Sequence, residues 1–137
     1  MRTSLRGIAA LAAATLALAG CEALGITAAG VGMATGVSHT LNGRVYKTFT
    51  SSQARVKEAS IGALERMDIK VVSTHRDGPV QTIAARAAHR DIEIQLEALT
   101  RNTTRMLVVA RKDGGVLRDE ATASEVVAQT EKLVGKG

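Results

Sequence analysis

Asp91-Ile92-Glu93-Ile94-Gln95-Leu96-Glu97-Ala98-Leu99 decides the fold class. Ile92, Ile94 and Leu96 alternate strictly with Asp91, Glu93, Gln95 and Glu97. Successive side chains of a β-strand point to opposite faces, so this spacing puts the apolar groups on one side and the polar groups on the other. Such a half-buried strand belongs to an antiparallel sheet with one wet face. A parallel strand, covered on both faces, would read as a near-continuous apolar run. Downstream, Arg101-Asn102 reads as a turn, and Thr103 to Arg111 as a β-branched, apolar strand. Upstream, residues 80–88 read as a strand behind the turn Arg76-Asp77-Gly78-Pro79, and residues 69–75 as the strand before it.

Further out the period changes from two to between three and four. Ser51 and Ser52 offer an N-cap for a helix over Gln53 to Met67, whose apolar stripe is Val56, Ala59, Ser60, Ala63, Leu64 and Met67. Residues 44–50 before it read as a strand. Beyond the break at Asp113-Gly114-Gly115, Asp119 and Glu120 suit the first turn of a last helix. Its stripe is Ala123, Val126, Val127, Thr130, Leu133 and Val134. The expected class is α+β: one antiparallel sheet of about five strands with two helices packed on one face, in the order β-α-β-β-β-β-α. This domain is placed at residues 41–137.

With 137 residues the chain holds one domain rather than two. One Phe, one Tyr and no Trp leave Val, Ile, Leu, Met and Ala to fill the core. Aromatic anchors for sticky interfaces or base stacking are almost missing. The formal charge is +5. Without Arg2 and Arg6 there remain 16 Lys and Arg against 13 Asp and Glu, a net +3 spread from Arg44 to Lys136. Nucleic-acid binders concentrate such charge and interleave aromatics, so no nucleic-acid partner is expected. The single cysteine excludes an intramolecular disulfide.

That cysteine closes an export signal. Arg2 and Arg6 make a positive n-region, and Ile8 to Leu18 an apolar stretch too short for a comfortable span of ~20 residues. Leu18-Ala19-Gly20-Cys21 follows, with the form of a lipobox. The Cys21 thiol takes a diacylglyceryl thioether, and Ala19 and Gly20 are small enough for the processing peptidase. Lipid chains at about 0.8 kcal/mol per buried CH₂ then hold the protein on a membrane. Residues 1–20 are therefore read as a lipoprotein signal peptide. Residues 21–40 are read as the lipidated N-terminus and a Gly/Ala-rich tether, with a surface-lying helix and a second span as the alternatives. Glu22 is not the Asp that acts as an inner-membrane retention signal in enteric bacteria, which favours the outer membrane.

The chain resembles a family of small bacterial lipoproteins whose domain has no assigned function. The features are the lipobox, the Gly/Ala-rich run to Gly36, and Leu41-Asn42-Gly43 opening a strand with Tyr46 and Phe49. Ala63-Leu64 leading into Asp68-Ile69-Lys70-Val71-Val72, the alternating strand, and Asp119-Glu120-Ala121 complete it. The resemblance spans nearly the whole chain and implies fold and location. It carries no catalytic residues.

No catalytic, cofactor-binding or metal-ligating constellation is legible. His39, His75 and His89 stand apart from one another and from acidic ligands at metal-binding spacing. No Ser lies in a nucleophile-elbow motif. Asp91, Glu93 and Glu97 form one acidic row, the sole surface candidate, expected to be solvated and matched by Arg86 and Arg105 on neighbouring strands. No cofactor and no enzymatic activity are expected. The expected protein is a periplasm-facing, lipid-anchored envelope adaptor or accessory subunit with a monomeric domain, docking an envelope protein. The alternative is a binding module holding a lipid or small amphiphile between sheet and helices.

Overall fold

The computed structural model describes residues 38–136. The expected signal peptide, with Leu18, Ala19 and Gly20, the expected lipidation site Cys21 and nearly all of the stretch read as a tether lie outside the described residues.

Seven strands and two helices follow one another as β1 (His39–Leu41), β2 (Arg44–Phe49), α1 (Gln53–Arg66), β3 (Lys70–Asp77), β4 (Val80–Ala87), β5 (Arg90–Thr100), β6 (Thr103–Lys112), β7 (Leu117–Arg118) and α2 (Glu120–Val134). The strands form one sheet in the order β1-β2-β6-β5-β4-β3, with β7 also paired to β6. Every pairing is antiparallel. The α+β class with a single antiparallel sheet stands. The count of about five strands and the order β-α-β-β-β-β-α do not: the order is β-β-α-β-β-β-β-β-α.

The two additional strands are short edge pieces. β1 begins at His39, within the stretch read as tether, and turns into β2 through Asn42 and Gly43 at φ 51° and 70°. Two left-handed residues in succession suit a tight primed turn, and Asn-Gly is the pair that best tolerates it. After β6 a single helical turn at Asp113–Gly115 reverses the chain, with Gly114 at φ 69°. Arg118 then pairs with Arg111, and Leu117 with Lys112. Because β5 occupies the other side of β6, β7 continues the line of β2. A Cβ on Gly43 would lie 2.6 Å from Arg118 Cδ, so glycine there answers both φ and space.

The register of the alternating strands assembles the core. Ile83 pairs with Ile94, Ile94 with Val108, and Val108 with Val45, one apolar row across four strands. Both helices cover this face, α1 through Val56 and Leu64 and α2 through Ala123, Val126 and Val127. These are the expected stripes. Small residues let the helices approach closely: a Cβ on Gly62 would come within 3.2 Å of Leu133 Cδ1.

Local chemistry ends the helices where the sequence changes period. Ser52 Oγ accepts from the Arg55 N–H at 3.4 Å as the N-cap of α1. At the other end Asp68 turns left-handed at φ 56°, and its N–H reaches the Glu65 carbonyl at 3.1 Å. The Ile69 N–H reaches the Leu64 carbonyl at 2.9 Å. This pair of bonds is the Schellman arrangement, and it drops Ile69 into the core beside α1. One core-facing position is charged. Lys47, between Val45 and Phe49, is 6% exposed and places Nζ 2.8 Å from Glu131 of α2 and 5.8 Å from the Phe49 ring centroid. Its aliphatic stem packs while its head is satisfied at the helix margin.

Candidate functional site

Strand β5 fixes the acidic row. Asp91, Glu93 and Glu97 point to the face opposite the helices, as the alternation demands. Asp91 pairs across the ladder with Arg86 and Arg111, and Glu97 with Val80 and Arg105. Arg86 Nε donates to Asp91 at 2.7 Å, and Arg105 Nε donates to Glu97 at 3.1 Å. Gln95 donates to Glu93 at 2.7 Å. The three carboxylates are thus separately engaged along the strand, and Asp91 and Glu93, with Arg86 and Arg111, line a hollow of about 200 Å³ that opens to solvent. Among the described residues no group of three or more His, Asp or Glu is arranged to hold a metal ion.

Cross-strand ion pairs at such exposure contribute little. Glu93→Ala and Glu97→Ala should each change the unfolding free energy by less than about 0.5 kcal/mol. Urea titrations of the variants measure this. A larger loss at either position would show that the row carries structural weight.

A second charged cluster was not legible. Asp119 caps α2, accepting from the Thr122 N–H at 3.1 Å and the Thr122 hydroxyl at 2.7 Å. Arg90 Nε, from the start of β5, donates at 2.7 Å to Asp119 Oδ2, the oxygen that also accepts the Thr122 hydroxyl. The Thr122 hydroxyl bond, the Thr122 N–H and Arg90 outweigh burial and hold the Asp119 carboxyl below its ordinary value. A depressed folded-state pKa gives stability that is present above the unfolded value and lost as pH falls through the folded one. Asp119→Asn keeps a capping acceptor but cannot titrate. Thermal melts should therefore show the wild type more stable than Asp119→Asn at neutral pH, with the gap closing below about pH 4. A gap that is constant with pH would contradict this.

Other polar contacts are structural. Gln53 donates to the Pro79 and Leu96 carbonyls at 2.7 and 2.8 Å, while Arg76 reaches Gln53 at 3.1 Å and Gln81 at 3.3 Å. Together they fasten the β3–β4 turn to the start of α1. His39 lies in β1, His75 in β3 and His89 in the β4–β5 turn. A groove of about 420 Å³ between the helices is lined by Arg55, Glu58, Ala59, Gly62 and Leu133 and opens to solvent. Between sheet and helices, Leu64, Ile83, Ile94, Leu96, Met106, Val108 and Val126 are each under 2% exposed.

The helix-free face has its own pattern. One row of directly paired residues, Arg118, Arg111, Asp91, Arg86 and Lys70, crosses the sheet from β7 to β3. Arg44 stands one row inward. Beside them Leu41, Val116 and Leu117 are 64%, 81% and 50% exposed.

No helix among the described residues is long and apolar enough to cross a membrane. Residues 5–132 match the pattern of a family described as "Protein of unknown function (DUF3568)". No curated protein matches the chain.

Proposed function

Because the chain belongs to the DUF3568 family, whose function is unassigned, we propose a role for it from its address and its surface: a lipid-anchored envelope adaptor or accessory protein. It is cut before Cys21, acylated there, and displays its domain to the periplasm, from the outer membrane. The observation that carries this reading is the run MRTSLRGIAALAAATLALAGC, in which charge, apolar stretch and lipobox stand in register. A core that among the described residues runs from Val45 to Val127, with Val134 packed against it, supports it, since such a domain needs only a tether to its membrane. The adaptor role is favoured over the amphiphile-binding module because closely packed side chains fill the space between sheet and helices. Strand β3 supplies a docking edge: all eight residues are exposed, and among the described residues β4 is the one strand that pairs with it.

Fractionation of the producing cell tests the location. The protein should band with outer membrane and leave it with detergent, not with salt. A photocrosslinker at Thr74 of β3 tests the docking edge. It should give one discrete protein adduct in the native membrane, absent when the crosslinker sits at Asn102. Protein recovered in the soluble fraction, or adducts indifferent to position, would overturn the reading.

A further inference from the structure

We propose that the end of the sheet carrying the β1–β2 turn and the 113–116 loop docks on an anionic phospholipid bilayer. Cross-strand pairing sets Arg118 beside Arg111 and Leu117 beside Lys112. Gly43 packs against the Arg118 side chain, which brings the β1–β2 turn to the same place. Arg44 and Lys70 belong to this end through Val109 and Arg86. Among the described residues, Arg44, Lys70, Arg111, Lys112 and Arg118 form no ion pair. The acids here are Asp91, tied to Arg86, Asp119, tied to Arg90, and Asp68, Glu93, Asp113 and Glu120. Seven basic residues, Arg86 and Arg90 included, thus meet six acids, and the five without an ion pair stand beside three exposed apolar side chains, Leu41, Val116 and Leu117.

This pairing of features fits one occupant. Apolar tips enter the boundary between headgroups and acyl chains while Lys and Arg meet lipid phosphates. The opposite end, with Arg101 and Asn102, carries one exposed large apolar side chain, Leu99, where this end carries three; there Glu97 engages Arg105. A nucleic acid would want aromatic platforms, and the whole chain holds one Tyr and one Phe. The surface orients the domain on the bilayer, a property that the lipid at Cys21 does not by itself confer.

The chain has no Trp, so a single introduced Trp reports its own surroundings. Full-length protein carrying Val116→Trp is reconstituted into vesicles of phosphatidylcholine, alone or mixed with phosphatidylglycerol. Emission should move to shorter wavelength only with phosphatidylglycerol, and the shift should vanish in high salt. Asn102→Trp should emit alike in both. Near an anionic surface each basic residue is worth about fivefold, so Arg111→Gln with Arg118→Gln should weaken docking roughly 25-fold. Arg118→Gln alone should show the smaller part. Equal emission in both vesicles, a shift at Asn102→Trp, or a shift produced by single-stranded DNA without lipid would overturn the proposal. Retention on pure phosphatidylcholine reports the anchor separately. Failure there, with the Val116→Trp shift intact, would sink the lipoprotein reading and leave this one standing.

Discussion

Ile94→Asp should abolish the cooperative unfolding transition of the domain. Ile94 is fully buried, and its direct neighbours across the ladder are Ile83 and Val108, themselves fully buried. The one core-facing lysine, Lys47, stands a row away and is paired with Glu131, so a carboxylate at 94 is either charged without a partner or protonated at a cost of several kcal/mol. A domain of this size holds only about 5–15 kcal/mol in all. Circular dichroism against temperature should show no sigmoidal transition for Ile94→Asp. Ile94→Val, which removes one methylene, should melt cooperatively with a loss of about 0.5–1.5 kcal/mol. Survival of the Asp variant would mean that β5 does not bury this face.

Cys21→Ser should remove all lipid from the protein and leave the unprocessed precursor. A serine hydroxyl does not ionise near neutral pH and forms no thioether, so the acyl transfer that precedes cleavage has no acceptor. Radioactive palmitate fed to cells should label the wild-type protein and not the variant. The variant should also run more slowly on a gel, by the mass of residues 1–20. Label on the serine protein would end the lipoprotein reading, whatever the domain does.

The strands legible in the sequence were those whose side chains take different environments on alternate positions. β5 announced itself because Ile92, Ile94 and Leu96 are buried while Asp91, Glu93 and Gln95 are not. β1 could not, since His39, Thr40 and Leu41 are all exposed and the strand exists through its backbone pairing with β2. The same holds for Leu117 and Arg118 of β7. Lys47 hid for another reason: a lysine in an alternating strand reads as solvent-facing, and its partner Glu131 lies on the far helix. In the acidic row, the arginines opposite were foreseeable because neighbouring antiparallel strands have a definite register. Arg90 on Asp119 depended on the tertiary fold bringing the start of β5 to the start of α2. The helix stripes and the Ser52 cap were legible because they depend on contacts within a few positions; Asp119 was read as a first-turn residue and proves to be the cap of α2, and the left-handed end at Asp68 carried no signal.

The order of the strands in the sheet also sets the order in which the chain can assemble. β3, β4, β5 and β6 are successive neighbours joined by two-residue turns, so their ladders close short loops and can form early. β2 must find β6 across α1 and the whole of that meander, pairing Phe49 with Thr104. Closing so long a loop is the slow event. Ile83→Val within the meander and Val45→Ala on β2 should then both slow refolding, as stopped-flow chevrons would resolve. Until β2 arrives, β6 presents Met106 and Val108 on an open ladder. Refolding yield should therefore fall as protein concentration rises, through pairing of that strand with another chain.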